Sequence, residues 1–264
     1  MSDHRKKISA LIITYNEIGY IEKCIDSVDF ADEIIVVDSY STDGTYEYLI
    51  NHPRVKVIQH PFSNFTAQKS FTLKQATNDW ILFLDADEVV SESLRKEIIE
   101  TVNSDENYAA YWCYRNFMFQ NKPLRYSGWQ TDKNYRLFRK SMAKFSDKKI
   151  VHETLDVDGK TGILSARLTH FCYKNYEDYR AKMIKYGRLK AKESFYREKR
   201  FNYMSYIFKP AWKFFNHYVL RMGILDGRKG MTICYLNALS DLERFRELKK
   251  LEKKNELAYY LVMP

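Results

Sequence analysis

Glycine is scarce in this chain, 9 residues in 264, and none of it is clustered. A Rossmann dinucleotide turn needs several glycines after the first strand so that backbone can approach a pyrophosphate. The corresponding stretch here is TYNEIG, with Gly19 alone, and no glycine-rich Walker loop ending in Lys-Ser or Lys-Thr occurs. A nucleotide bound to this chain needs another counter-charge for its phosphates. Cysteine is also sparse: Cys24, Cys113, Cys172 and Cys234 are scattered without metal-site spacing, which reads as buried, reduced thiols of a cytosolic protein. No run approaches the ~18 apolar residues of a spanning helix. The N-terminal MSDHRKKISALIITYN has too short an apolar run for a signal peptide and reads as a first strand. Internal repeats and low-complexity linkers are missing as well. These absences predict a cytoplasmic protein.

Acidic residues run short in one region. Residues 174–264 hold 21 Lys and Arg against 10 Asp and Glu, whereas the first 173 hold 22 against 24. The whole excess of +9 therefore sits in the last third. Such asymmetry points to a polyanionic partner, an anionic membrane surface or nucleic acid.

The first third alternates strands and helices. ISALIIT (8–14), EIIVVD (33–38), VKVIQ (55–59) and WILFLD (80–85) are apolar runs of the kind buried on both faces of a parallel sheet. Between them Ile18, Ile21, Ile25 and Val28 recur at helical spacing, TDGTYEYLI begins a second helix, and residues 64–76 form a third. Ser91 is placed to cap the helix that follows. This β-α-β alternation predicts a parallel sheet covered by helices, with ligands at the carboxyl ends of its strands. Those ends carry Thr14-Tyr15-Asn16-Glu17, Asp38 and Asp85-Ala86-Asp87. After residue 105, AAYWCYRNFMF, NYRLF and ARLTHFCY read as antiparallel strands completing the sheet. From Asn175 the chain turns helical, with Tyr176, Tyr179, Met183 and Tyr186 on one predicted face.

Asp85 and Asp87 form a DXD pattern, and alternation sets both toward one side of an extended turn. Hard Mg²⁺ or Mn²⁺ takes oxygen ligands, commonly one or two carboxylates plus substrate phosphates. The plain alternative is that Asp87 and Glu88 only decorate the next helix's N-terminus.

ISALIITYNE, EIIVVDSYSTDGT and NDWILFLDADE, in this order, resemble the family 2 glycosyltransferases of the GT-A fold. AQKSFTLKQATNDWILFLDADE, RLFRK, IVHETL, LTHFCY and GILDGRKGM further resemble the bacterial lipopolysaccharide-core group. The resemblance implies a GT-A catalytic domain over 1–173, a Rossmann-like mixed sheet flanked by helices, followed by a helical basic region over 174–264. It implies a nucleotide-sugar donor, UDP-linked by family weight, an Mn²⁺ or Mg²⁺ ion, and inverting transfer to a lipid-linked glycan such as a lipopolysaccharide core. By position, Thr14, Tyr15, Asn16 and Glu17 line the nucleotide pocket. Asp38 accepts from the base, Asp43 supports that loop, and Gln68 and Lys69 face the donor. Asp85 faces the donor's ribose and sugar, and Asp87 binds the metal. Glu153 stands where the family has its catalytic base, although a Thr follows it where relatives have an Asp. His152 is the alternative base. His170 is either a further metal ligand or a core histidine. Trp129 either stacks on a sugar or belongs to the core.

In the tail, Phe208, Trp212, Phe215, Val219 and Met222 share a predicted helical face, opposite a stripe of Lys213, His217 and Arg221, with Pro210 starting or kinking the helix. Such a helix either lies in a membrane interface, through Trp212, Lys213, Phe215 and Arg221, or packs on the catalytic domain. The charged stretch SDLERFRELKKLEKKNELAYYL reads as a helical partner surface. The reading that follows is a transferase peripheral on the inner face of the cytoplasmic membrane, with no nucleic-acid partner. Its competitor is a basic nucleic-acid-binding module carrying a non-catalytic α/β domain, which the +11 tail suggests but no recognition motif supports. A nucleotidyltransferase also pairs metal with carboxylates, but its glycine-rich, Arg-containing loop is lacking.

Overall fold

β1 (Ile8–Thr14) is buried along its whole length. Two parallel neighbours, β2 (Glu33–Asp38) and β4 (Trp80–Asp85), flank it, and β3 (Val55–Gln59) extends the sheet beyond β2. The computed structural model describes residues 5–119, 122–146, 154–173 and 175–262. All four strands have the bounds expected from their apolar runs. The two-residue pleat period sorts β1 into two cores. Ile8, Ala10 and Ile12 meet Ile21 and Ile25 of α1 (Ile21–Ser27) and Leu94 and Ile98 of α4 (Glu92–Asn103). Leu11 and Ile13 meet Leu73 of α3 (Phe65–Gln75) on the opposite face. α2 (Thr45–Ile50) buries Leu49 on the first face.

Helix starts follow local chemistry. Asn64 accepts from the Ala67 amide at 2.8 Å and Ser91 from the Leu94 amide at 3.2 Å, as N-caps do. Ser91 thus caps α4, and Asp87 and Glu88 do not. Two helices begin later than their patterns suggest. Ile18 lies in a turn, because Glu17 offers its carbonyl to the amides of Tyr20 and Ile21. Thr42-Asp43-Gly44 stays outside α2, since Gly44 takes a left-handed φ of +97°.

Antiparallel strands complete the sheet as anticipated. β5 (Glu88–Val89), β6 (Ala110–Phe119), β7 (Lys122–Leu124), β8 (Lys133–Arg139), β11 (Thr161–Ile163) and β12 (Leu168–Tyr173) join it. The order is β3-β2-β1-β4-β8-β6-β12-β5, with β7 and β11 also pairing β6. β9 (Ala143–Ser146) and β10 (Thr154–Val157) form a separate antiparallel pair. Cys24, Cys113 and Cys234 are free, buried thiols; the side chain of Cys172 lies outside the description. Burial pushes the Cys113 thiol up to about 12.

The chain divides into two compact units, residues 1–116 with 131–171, and residues 117–130 with 172–264. The second contains α5 (Tyr176–Tyr196), α6 (Tyr203–Phe215) and α7 (Gly227–Val262). Its core joins Phe117, Phe119, Tyr179, Met183, Ile233 and Leu236. Trp129 packs there against Phe117, ring centroids 4.2 Å apart. Tyr186 does not continue the predicted face of α5 and is exposed. Gly187 and Ala191 are buried instead, because α7 passes too close for anything larger: a Cβ on Gly187 would lie 2.6 Å from the Ser240 carbonyl oxygen. Pro210 sits inside α6 and does not start it. Among the described residues no helix is long and apolar enough to cross a membrane.

This close approach reverses the usual helix preference. Alanine is favoured over glycine in a helix by about 1 kcal/mol, yet Gly187→Ala should destabilise by roughly 1–3 kcal/mol through overpacking. A lowered urea midpoint is the expected result; a raised one would show that α5 and α7 are not in this contact.

Candidate active site

The sheet order reverses direction between β1 and β4, and open α/β sheets bind ligands in the crevice beyond the carboxyl ends at such a switch point. Register brings the polar clusters together there: Thr14 pairs with Asp38, and Ile13 with Asp85.

The loops after β1 and β2 are laced to each other. Asn16 adopts φ +56°, donates its amide to Ser41 Oγ at 2.8 Å, and accepts the Thr42 amide at 2.7 Å. Asp38, fully buried, accepts from the Ser41 amide and hydroxyl and from Gln59 Nε2. Asp43 accepts from the Ile18 amide at 3.1 Å and the Thr45 hydroxyl at 2.5 Å, while the Glu17 amide donates to Thr45 Oγ1. Burial pushes the Asp43 carboxyl up, but these donors outweigh it and hold it below the usual range. Thr14 is buried and Tyr15 exposed. Gln68 is buried on α3, bonded to His60 Nδ1 at 2.8 Å and to Ser39 Oγ at 3.0 Å.

Asp85, Asp87 and Glu88 follow within four residues, and they are balanced differently. Asp85 meets Arg136 at 2.6 Å and Lys69 at 3.7 Å. Glu88 is fully buried, meets Arg136 at 2.5 Å and Arg115 at 3.2 Å, and accepts the Asp85 amide at 3.1 Å. Burial works against ionised Asp85, yet Arg136 first and Lys69 second keep its carboxyl far below the ordinary range. The same carboxylates hold the buried Arg136 guanidinium protonated. The carboxylate cluster therefore has counter-charges of its own. Neither arginine was singled out from the sequence, although RLFRK contains Arg136; a lone Arg in an alternating strand looks like a solvent-facing residue.

Asp87 meets a histidine. Its Oδ2 lies 3.1 Å from His170 Nε2, and its carbonyl accepts the Phe171 amide at 2.8 Å. Pairing of β12 with β5, His170 opposite Glu88, sets this distance. Cis ligands about 2.1 Å from an octahedral cation stand about 3 Å apart, so a carboxylate oxygen and an imidazole nitrogen at this separation fit Mn²⁺ or Mg²⁺. Among the described residues no group of three or more His, Cys, Asp or Glu converges on a metal position. A cation here would draw its other ligands from phosphate and water. Glu153 and His152 lie outside the described residues.

The four residues expected to face a membrane lie in the second unit. Trp212 and Phe215 are exposed, as is Arg221, whose side chain packs over Gly128. Lys213 corrects the expectation: it turns inward to Asp241 at 3.2 Å and Ser240 Oγ at 3.3 Å on α7. His217 likewise faces the Ser127 carbonyl at 2.9 Å. Two of the three residues of the predicted basic stripe thus turn inward, Lys213 because this side of α6 packs on α7 and His217 toward the backbone at 127.

The model of glycosyl transferase family 2 matches residues 9–156, the segment that supplies β1, β2, β4 and the acidic cluster. This chain belongs to glycosyltransferase family 2. The transferase is 31% identical over 268 residues to an uncharacterized glycosyltransferase of Rickettsia felis, covering 96% of this chain and 94% of that protein. It is 27% identical to the lipopolysaccharide core biosynthesis glycosyltransferase LpsC of Rhizobium meliloti, covering 90% and 92%. Among solved structures it resembles the mannosyltransferase PcManGT of Pyrobaculum calidifontis, in complex with GDP-Man and Mn²⁺, at TM-score 0.52 and 15% identity over 93% and 88% of the chains. S. aureus TarS in complex with UDP matches at TM-score 0.50 and 17% identity over 94% and 92%. These likenesses establish the GT-A fold, a mixed sheet flanked by helices.

Removing Arg136 leaves Glu88 buried with half its counter-charge. Arg136→Ala should destabilise the transferase by roughly 3–5 kcal/mol, and Arg136→Ala with Glu88→Gln by less. Chemical denaturation of the pair checks this; equal losses would place Glu88 outside the network.

Proposed function

We propose that this transferase moves a sugar, with inversion, from a nucleoside diphosphate donor, UDP-linked, to a lipid-linked glycan such as a lipopolysaccharide core, on the inner face of the cytoplasmic membrane. The observation that carries the reading is Asp87 beside His170, 3.1 Å apart, at the carboxyl end of β4 next to the switch-point crevice. The name of LpsC and the UDP or GDP-Man of the solved relatives support the donor and acceptor classes.

In this reading Asp87 and His170 hold Mn²⁺ or Mg²⁺, which neutralises the diphosphate and stabilises the leaving group's charge. Asp85 stays ionised against Arg136 and Lys69 and turns its remaining lone pairs to donor hydroxyls. Arg136 and Lys69 keep local charge near balance, so that an anionic donor is not repelled. The laced loops present Thr14, Tyr15, Asn16 and Glu17 to the nucleotide, with Asp38, Asp43 and Gln68 bracing them. Glu153 takes the acceptor hydroxyl's proton as that oxygen attacks the anomeric carbon from the face opposite the diphosphate.

Three measurements test this. UDP with Mn²⁺ should raise the melting temperature well above either alone, and no response to any nucleotide would sink the donor reading. Asp87→Ala should abolish both that shift and transfer while the fold persists; full turnover in this variant would rule out its metal role. Glu153→Gln should lower kcat by about 10²–10⁴-fold with donor binding unchanged, whereas a comparable loss in His152→Ala alone would move the base to the histidine.

A further inference from the structure

Between Glu198 and Asp226 the chain runs 27 residues without an Asp or Glu while carrying five Lys or Arg. In the same stretch, 11 large apolar side chains from Tyr203 to Leu225 are each 45–64% exposed. Apolar side chains exposed singly are ordinary, but apolar side chains exposed side by side mark an interaction surface. Met204, Ile207, Phe208, Trp212 and Phe215 follow helical spacing along one side of α6. The other side is already used: Lys213 pairs with Asp241, and Lys209 lies over the Phe245 ring at 5.7 Å. Packing on α7 thus fixes which face of α6 points outward, and that face is apolar and aromatic.

Leu225, the last of these exposed side chains, lines a hollow of about 490 Å³ with Lys122, Pro123, Leu124, Arg125 and Lys229. Asp226 borders the hollow, but its carboxylate is occupied by the amides of Arg125 and Tyr126, each at 3.0 Å. Lys229 donates to the Phe119 carbonyl at 3.0 Å, and burial first, then the neighbouring Lys122, lower its pKa. Cations clustered beside Pro123 and Leu225 suit an anionic amphiphile.

We propose that residues 203–225 lie in the headgroup layer of an anionic bilayer, with the Lys122–Arg125–Lys229 hollow taking lipid phosphates at the edge of the face. Aromatic and aliphatic side chains sink into the headgroup boundary while Lys and Arg stay at its charged surface. A second copy of the chain is a poor occupant, because Lys122, Arg125 and Lys229 at the hollow would meet the same cations in its own image. This proposal gives the membrane side of the proposed function a specific surface, and it rests on the second unit alone.

The test is cosedimentation of the full chain with vesicles of phosphatidylcholine alone and of phosphatidylcholine mixed with phosphatidylglycerol. Binding should be at least tenfold tighter to the anionic vesicles and weaken with added salt. Phe208→Glu with Trp212→Glu should abolish it. Lys122→Gln and Arg125→Gln should each weaken it about fivefold. Both sets alter exposed residues, so circular dichroism and donor hydrolysis in solution should match the parent. Absent binding, equal binding to both vesicles, or binding indifferent to the Glu variants would overturn the proposal. So would a dimer in sedimentation velocity that the Glu variants dissolve. Because Asp87→Ala should bind vesicles normally, failure of the metal reading and failure of this one remain distinct.

Discussion

A carboxylate with no access to water needs either several hydrogen-bond donors or a cation, and the end of β4 meets that need through one cation. Arg136 on β8 reaches both Asp85 and Glu88, with Lys69 and Arg115 closing the group on either side. A buried ion network of this kind adds little net stability over an apolar core, because desolvation offsets most of the Coulomb gain. Its consequence is geometric. Glu88 accepts the Asp85 amide, which folds the chain back within three residues and starts β5. Asp87 comes to face His170 across the β5–β12 pair. Without the arginines, the neighbouring negative charges would repel one another and any diphosphate.

The same economy of roles recurs at the ends of β1 and β2. Asp38 and Asp43 are consumed by backbone amides and hydroxyls of the neighbouring loops. They hold shape, while Tyr15 stays exposed. Pre-organisation of this sort removes loop ordering from the cost of binding. In the second unit, GILDGRKGM works comparably: Asp226 gathers the amides at 125 and 126, and Gly223 packs where a Cβ would meet Cys234 Sγ at 2.8 Å.

Much of this was legible beforehand, and unevenly so. β1 to β4 could be delimited to the residue, because strands buried on both faces must be continuous apolar runs bounded by polar residues. The meeting of Asp38, Asp85 and Thr14 followed from parallel connectivity, since every parallel strand ends on the same edge. Ile18 and Tyr186 misled because hydrophobic spacing ignores what the backbone or a partner helix does: a Glu17-accepted turn in the first case, a close α5–α7 contact in the second. Lys213 misled for a related reason. A helical wheel separates two faces but does not say which one packs.

What the sequence by itself determined, then, was everything carried by local periodicity and chain order: the parallel strands, the edge where polar residues collect, the family, and the acidic pair that ends β4. Tertiary structure alone decided which charges neutralise which. Arg115 and Arg136 lie 27 and 48 residues from Glu88, and His170 lies 83 residues from Asp87. Electrostatic pairing depends on distance in space, and sheet register sets that distance; no spacing along the chain encodes it.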